Sequence, residues 1–135
     1  MELSSVQKGT IGELFTKALL IREGFNVYDK VNEESKCDFI LEKNFKLIKI
    51  QVKITSINAH GNKTILTRKL THSKTEHKTH YYTKDEIDFY MAVDIEQLDL
   101  YILPVEIYST IKSEKVLSNL QDYKNNFELL NNFVK

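Results

Sequence analysis

One short stretch of this sequence contains an acid, an amide and an amine that could together hold a metal ion and a water molecule. Asp38 begins a segment with a strand pattern, and Gln51 and Lys53 lie two residues apart in the strand that would pair with it. The start of the first strand of a hairpin lies beside the end of the second, so these side chains should converge. Carboxylate and amide oxygens can bind a hard divalent cation, and a bound cation can activate water. The pattern therefore allows metal-assisted hydrolysis.

The hairpin is predicted from turn residues and from period-two alternation. We expect a first strand over residues 38–41, a turn near Lys43-Asn44, and a second strand over residues 46–54. A strand with one face in solvent would also alternate, which leaves the roles of Gln51 and Lys53 open. One face of the second strand comprises Ile48, Ile50, Val52 and Ile54, and the other comprises Leu47, Lys49, Gln51 and Lys53.

A long N-terminal helix is the second element that such a site would need. Residues 6–23 have a broad apolar face, and Gly24 is typical of the residue that follows the last helical turn. Glu13 lies at the edge of this face, where a helix can direct a carboxylate toward the end of a sheet. An ordinary surface position is the alternative for Glu13. Gly9 and Gly12 are unfavourable inside a helix, which indicates close packing or close approach by a ligand.

The whole pattern predicts an α/β fold with a mixed central sheet flanked by helices. The long helix should precede a three-stranded meander, and a crossover should then lead to two further strands. The C-terminal segment has apolar residues at helical spacing, so it should form an amphipathic helix that could serve as an oligomer interface. Besides the hairpin, we expect strands at 25–31, 64–70, 88–95 and 100–103, a short helix at 104–108, and a C-terminal helix at 117–134 within the segment 113–135.

The charged residues are unevenly distributed, although the net charge is zero. Residues 56–84 contain six Lys/Arg, one Asp/Glu and all four histidines. A local excess of positive charge predicts a polyanionic partner better than the net charge does. We therefore expect this basic segment to contact a polyanion such as a nucleic acid, with Lys63, Arg68, Lys69, Lys74 and Lys78 as the candidate contacts.

Length and composition indicate one compact unit. A chain of 135 residues with a 41% hydrophobic composition predicts a single domain over residues 1–135. No apolar run is long enough to span a bilayer, so we expect no membrane partner. The single cysteine, Cys37, excludes an intrachain disulfide and is typical of a reducing compartment. We therefore expect a cytoplasmic protein.

The candidate residues also follow a known order. Glu13, Asp38 and Gln51-Val52-Lys53 resemble the PD-(D/E)xK nuclease superfamily, with Gln51-Val52-Lys53 in the (D/E)xK place and Cys37 where the family has proline. Three further segments are similar to the small intron-associated PD-(D/E)xK homing endonucleases. These segments are Lys8-Gly-Thr-Ile-Gly-Glu13, Tyr82-Thr-Lys-Asp-Glu-Ile-Asp88-Phe and Leu100-Tyr-Ile-Leu-Pro-Val-Glu106.

The resemblance implies a restriction-endonuclease-like core and a Mg²⁺-dependent endonuclease acting on double-stranded DNA, with Mn²⁺ able to substitute. Asp38 would be the central metal ligand, and Gln51 and Glu13 would bind the metal or its water. Lys53 would orient or help deprotonate the attacking water and would stabilise charge on the phosphorane. Because one chain carries one site, cutting both strands would require a homodimer or a dimer of dimers.

Two other functions fit the same residues. A structure-selective nuclease, resembling archaeal Holliday junction resolvases, would share the core and would need mainly shape and charge. A homing enzyme needs direct base readout, which Arg68 and Lys69 in a strand-like segment favour. The third possibility is a non-catalytic nucleic-acid-binding module, and the presence of Glu13, Asp38 and Lys53 argues against it.

Overall fold

The computed structural model of the chain describes residues 2–67, 69–72 and 77–135, with the backbone alone for residues 69–72 and 77–80. The first half contains α1 (Ser5–Arg22), β1 (Asn26–Asp29), β2 (Phe39–Lys43), β3 (Lys46–Ile54), β4 (Ser56–Ile57), β5 (Lys63–Leu66) and β6 (Lys69–His72). The second half contains β7 (His77–His80), β8 (Phe89–Asp94), β9 (Asp99–Pro104), α2 (Val105–Tyr108), β10 (Glu114–Val116), two 3₁₀ turns (Leu117–Asn119 and Gln121–Tyr123) and α3 (Glu128–Phe133).

Helix α1 begins and ends with local sequence signals. The Ser4 hydroxyl accepts a hydrogen bond from the Gln7 backbone N–H, and the Gln7 side chain accepts one from the Ser4 N–H, which forms a capping box. Gly24 follows the last turn with a φ of 94°, which a residue with a Cβ rarely adopts. A Cβ at Gly12 would lie 2.8 Å from the Ile54 side chain, so this glycine allows α1 to pack closely on β3.

The central sheet has five strands in the order β1-β2-β3-β8-β9. Strands β3 and β8 are parallel, and the other neighbours are antiparallel, so the sheet is mixed. The predicted meander, the crossover and the two final strands are therefore confirmed. Asn44 and Phe45 form the hairpin turn with φ values of 55° and 64°, and β2 continues to Lys43. Two positive φ values match the twist that a two-residue hairpin turn requires.

Both faces of the central sheet are buried. Helices α1 and α3 cover one face, where the core includes Leu20, Phe39, Ile50, Met91 and Leu130. Strand β5, helix α2 and the first 3₁₀ turn cover the other face, where the core includes Ile65, Tyr90, Leu103, Tyr108 and Leu117. Within the part of the chain that the structure describes, no helix is both long and apolar enough to cross a bilayer.

The predicted single strand over residues 64–70 is wrong. Strand β5 pairs with β4 and β10 in a separate three-stranded sheet, and β6 pairs with β7 in a two-stranded ribbon. Thr67 separates the two strands. Its hydroxyl donates to the backbone oxygen of Ile111, and its N–H donates to the backbone oxygen of Ser113. These bonds hold the end of β5 in its own sheet.

The predicted C-terminal helix is also wrong, since residues 114–133 form β10, two 3₁₀ turns and the short helix α3. Leu117 and Leu120 pack on one face of the central sheet, whereas Leu130 and Val134 pack on the opposite face. A straight helix cannot reach both faces, so the segment crosses the sheet edge at Asn125, which has a φ of 52°. Several apolar residues expected at an oligomer interface, among them Leu117 and Leu130, therefore complete the chain's own core, whereas Phe133 stays exposed.

Candidate active site

Asp38 is held rigidly where β2 begins beside β3. Its N–H donates to the backbone oxygen of Ile50 at 2.7 Å, and its Oδ2 accepts from the N–H of Val52 at 2.8 Å. The two bonds lie on either side of Gln51, so the Asp38 side chain continues the strand pairing beyond the hairpin ladder. The remaining carboxylate oxygen, Oδ1, lies 3.9 Å from the ammonium group of Lys30.

The Asp38 carboxylate lies in an environment that disfavours its charge. Its side chain is only 19% exposed, and this burial raises its pKa. The hydrogen bond from Val52 lowers the pKa, the nearby Glu13 raises it further, and Lys30 and Lys53 lower it, with a net upward shift. Burial deprives this carboxylate of solvation by water. A divalent cation beside it would stabilise the negative charge instead.

Glu13 reaches the same region from helix α1. Its carboxylate lies 3.0 Å from the ammonium group of Lys17, one turn further along the helix, and that ammonium lies 2.6 Å from Asp29. The Glu13 carboxylate is close enough to raise the pKa of Asp38, so the two carboxylates interact electrostatically. Both line an open cleft of about 330 Å³, whose walls are formed by Glu13, Lys17, Asp29, Lys30, Glu33 and Asp38.

Gln51 and Lys53 lie on β3 at the side of Asp38. Gln51 is almost fully buried, and the hydrogen bond of its side-chain amide runs from Nε2 to the backbone oxygen of Val52 at 3.5 Å. Lys53 is half-buried and close enough to lower the pKa of Asp38. The structure thus brings Glu13, Asp38 and Lys53 into one electrostatic cluster and places the buried amide of Gln51 beside the residues that bind Asp38.

Two cations in this cluster, Lys17 and Lys30, were not predicted from the sequence. Lys17 pairs with Glu13 and Asp29, and it also lies 5.6 Å from the centre of the Phe39 ring. Lys30 pairs with Glu33 at 3.3 Å and lies close to Asp38. The spacing of four residues between Glu13 and Lys17 could have indicated the first pair. The sequence carries no comparable signal for Lys30, because that contact depends on the path of the loop between β1 and β2.

The oxygen donors of this cluster are few. Across residues 2–67, 69–72 and 77–135, no group of three or more His, Cys, Asp or Glu side chains is arranged to hold a metal ion. The cluster instead offers two carboxylates, Glu13 and Asp38, and the amide of Gln51. Mg²⁺ typically takes one or two carboxylates and completes its shell with water and substrate phosphate oxygens. A small set of oxygen donors at an open cleft fits that preference.

The basic segment contributes a two-stranded ribbon, β6 and β7, which lies outside the central sheet. Lys69 and Lys78 belong to this ribbon, of which the backbone alone is described. The predicted contacts Arg68 and Lys74 lie outside the described residues. Lys63 lies 2.8 Å from Asp94 and 3.4 Å from Glu96, so a contact with DNA would have to break both ion pairs. The Lys63 ammonium is therefore engaged within the protein.

Three packed tyrosines anchor the chain on both sides of the β6–β7 ribbon. The Tyr90 hydroxyl donates to the backbone oxygen of Leu66 at 2.8 Å, and the Tyr108 hydroxyl donates to that of Thr67. Tyr82, where the segment returns, donates its backbone N–H to the Tyr108 hydroxyl at 3.3 Å. Burial raises the pKa of the Tyr82 phenol to about 12, so this packed side chain is uncharged at physiological pH.

Asp88 binds the backbone of β3 in much the same way as Asp38 does. Its Oδ2 accepts from the N–H of Lys49 at 2.8 Å, and its own N–H donates to the backbone oxygen of Lys49 at 2.9 Å. These bonds join the start of β8 to β3. Asp88 thus supports the sheet, and it offers a matched control for Asp38.

Comparisons with known proteins agree with this geometry. No curated protein matches the chain. The solved structure described as that of a bacterial homing endonuclease, I-Ssp6803I, superposes with a TM-score of 0.87 at 20% sequence identity. The match covers 95% of this chain and 93% of that one, so the two proteins share their fold. The family model described as PD-(D/E)XK endonuclease matches residues 3–133. With nearly all of its length matched by that model, this chain belongs to the PD-(D/E)XK endonuclease family.

Proposed function

We propose that this nuclease hydrolyses phosphodiester bonds of double-stranded DNA with the help of Mg²⁺, in the manner of a homing endonuclease. The observation that carries the proposal is the buried carboxylate of Asp38, which shares one open cleft with Glu13 and lies in the field of Lys53. Membership in an endonuclease family supports the reaction type. The fold shared with a bacterial homing endonuclease supports the homing assignment.

Each polar residue of the cluster has a proposed role. Asp38 and Glu13 would hold the cation with their carboxylates, and Gln51 would add its amide oxygen, directly or through a water molecule. When bound, Mg²⁺ supplies positive charge for the phosphate oxygens and lowers the pKa of bound water. Lys53 orients the attacking water and stabilises the negative charge that develops on the phosphate during in-line displacement.

Lys17 and Lys30 have a supporting role in this proposal. Lys17 holds the Glu13 carboxylate against α1 at 3.0 Å, and Lys30 lies 3.9 Å from the Asp38 carboxylate. In the absence of a metal ion these ammonium groups partly balance the acidic side chains of the cleft. A substrate phosphate entering the cleft would find the same two cations at its rim.

The β6–β7 ribbon is the proposed DNA-reading element. A two-stranded ribbon fits the major groove, where base edges differ for each base pair. The tyrosine anchors fix the chain on both sides of the ribbon to the core, so the ribbon is attached to a rigid base. A junction-selective nuclease would need mainly shape and charge, and for this reason we favour homing over the resolvase alternative.

Cleavage of a randomised duplex library with Mg²⁺ separates these alternatives. A homing enzyme should select one sequence, which then appears at the mapped fragment ends. A junction-selective enzyme should ignore the duplex library and cut a four-way junction of arbitrary sequence. A binding module should cut neither substrate, and that result would refute the proposed function.

The amide at position 51 leads to a test of the metal site. Gln51→Glu adds a carboxylate beside Asp38 with little change of shape, so Mg²⁺ should bind more tightly without DNA, and the Mg²⁺ concentration for half-maximal cleavage should fall. Calorimetry without DNA and a Mg²⁺ titration of cleavage measure the two quantities. Gln97→Glu, in the exposed turn between β8 and β9, controls for the added charge. An unchanged or higher Mg²⁺ requirement would show that Gln51 is not a metal ligand.

Packing within the protein does not explain why residue 9 of α1 is a glycine. It is exposed, one turn before Glu13, and a Cβ added there would have nothing within 4 Å. Glycine in a helix costs about 0.5–1 kcal/mol relative to alanine. We expect Gly9→Ala to raise the unfolding free energy by about this amount, because the space is open. Close approach by DNA would explain why the position lacks a side chain.

A larger side chain at Gly9 should therefore weaken DNA binding without harming the fold. Gly9→Leu is expected to bind duplex DNA at least about tenfold more weakly, a loss of about 1.4 kcal/mol, and to melt no lower than the wild type. Gly12→Ala provides the contrast, because its Cβ would clash with Ile54 and should lower the melting temperature. Unchanged DNA affinity in Gly9→Leu would mean that DNA does not approach α1 here.

A further inference from the structure

Helix α1 has an apolar outer face that nothing in the described part of the chain covers. Residues at heptad spacing along this face are all exposed, and Leu14 and Ile21 are 61% and 60% exposed. Val6 and Ile11 extend the apolar surface on both sides. The stripe consists of Gln7, Thr10, Leu14, Ala18 and Ile21, without a charged residue. A surface helix normally shows solvent a charged face, so this stripe indicates a protein contact.

The composition of the stripe determines what can cover it. DNA would need cations, and the stripe has none. The order of residue sizes along the stripe is symmetric about its central residue, Leu14. The small residues Thr10 and Ala18 lie four positions before and after it. The larger residues Gln7 and Ile21 lie seven positions before and after it. A second copy of α1 running antiparallel would therefore set Leu14 against Leu14 and Thr10 against Ala18. We propose that this stripe is the interface with a second copy of the chain, paired about a two-fold axis at Leu14.

This pairing also arranges the active sites. Successive residues of an α-helix are about 100° apart, so Glu13 points sideways when Leu14 points at the partner. The two-fold axis of an antiparallel helix pair runs in that sideways direction, and it keeps sideways groups on the same side. Both Glu13 carboxylates, and with them both clefts, would then face one side of the dimer. One duplex could lie across both sites, a consequence that rests on the proposed function.

The interface should be weak in isolation. The stripe from Gln7 to Ile21 spans about 21 Å of helix, at 1.5 Å per residue. A single helix pair is at the small end of specific interfaces, so dimerisation in the micromolar range is expected. Two chains held on one DNA duplex would gain effective concentration, and DNA should strengthen the pairing.

Disulfide trapping tests the axis and the register without relying on cleavage. Helices packed 8–10 Å apart bring facing Cα atoms within about 6 Å, which suits a disulfide. Leu14→Cys should therefore form a reducible dimer rapidly in mild oxidant, with and without duplex DNA. Ile57→Cys, an exposed apolar position on β4, is the control and should crosslink slowly. The native Cys37 is buried and should not interfere.

The register predicts a second pattern. Two Thr10 residues would lie about 12 Å apart along the pair, too far for a disulfide, so Thr10→Cys alone should crosslink slowly. Combined with Ala18→Cys in the same chain, it should crosslink rapidly. Sedimentation should also show Leu14→Asp as a monomer at concentrations where the wild type and Ile57→Asp are dimers. If Leu14→Cys crosslinks no faster than Ile57→Cys under both conditions, or if the wild type stays monomeric with DNA, the proposed interface is wrong.

Discussion

Asp38→Asn is expected to reduce DNA cleavage by at least about 10³-fold while DNA binding stays within about twofold of the wild type. Asparagine keeps an oxygen that can accept the Val52 N–H at 2.8 Å, so the hairpin should retain its geometry. It loses the negative charge that would hold the cation. Binding should persist because the basic segment, rather than this carboxylate, is proposed to contact DNA. Single-turnover cleavage and a gel-shift titration measure the two effects separately.

The same variant should be at least as stable as the wild type near neutral pH. Burial raises the pKa of Asp38 in the folded state, so its ionised form destabilises the fold at pH values above that pKa. Removing the charge removes this cost, which a melting experiment without metal can detect. Asp88→Asn is the matched control, since Asp88 makes an equivalent bond to Lys49 outside the cleft. If Asp38→Asn cuts at a rate near that of Asp88→Asn, the metal site is misassigned.

Lys53→Met should lower the cleavage rate by about 10²–10⁴-fold, the usual range for losing a positioned proton-transfer or charge-stabilising group. Methionine has nearly the same length and packing as the lysine stem, so the end of β3 should stay intact. Mg²⁺ binding without DNA should change little or become tighter, because the variant removes a cation near Asp38. Rate and calorimetric affinity should therefore move independently.

Lys49→Met is the control for this experiment. Lys49 lies on the same face of β3, four residues earlier, and its ammonium donates to the backbone oxygen of Asp85, away from the cleft. It should keep nearly full activity. A Lys53→Met protein as active as Lys49→Met would mean that Lys53 takes no part in cleavage, as simple strand alternation also allows.

The elements nearest the candidate site could be predicted from the sequence. The alternation of apolar and polar residues predicted a strand over residues 46–54, and the structure has β3 at the same bounds, Lys46–Ile54. Local signals also worked for α1, where Ser4 and Gly24 mark the two ends of the helix. The convergence of Asp38 and Lys53 followed from strand pairing alone, because register in a hairpin is set by its turn.

Other features depend on contacts that the sequence does not encode locally. The C-terminal residues have helical spacing, yet Leu117 and Leu130 are required on opposite faces of the sheet, and this tertiary demand broke the helix. Lys63 belonged to a basic segment by composition, but its ammonium is held by Asp94 across 31 residues of sequence. Burial raises the pKa of Asp94, but the hydrogen bond and charge of Lys63, together with the N–H groups of Gln97 and Glu96, lower it by more in total, so the pKa is below its usual value.

The exposed stripe of α1 could not be predicted from the sequence for a related reason. Apolar residues occupy both faces of this helix, so the sequence predicted a broad apolar face without showing which part would reach the core. The sheet takes the face with Gly12, Thr16 and Leu20, all of which are buried. Only the packed structure separates these residues from Leu14 and Ile21, which remain outside.

Cleavage of duplex plasmid DNA as a function of Mg²⁺ tests the central claim most directly. The wild-type chain should convert supercoiled plasmid that carries its target sequence to nicked and linear products with Mg²⁺. It should give no product when EDTA removes the metal, and Asp38→Asn should give none at any Mg²⁺ concentration used for the wild type. Wild-type cleavage that continues in EDTA, or that Asp38→Asn retains at the same rate, would contradict a metal-dependent site at Asp38.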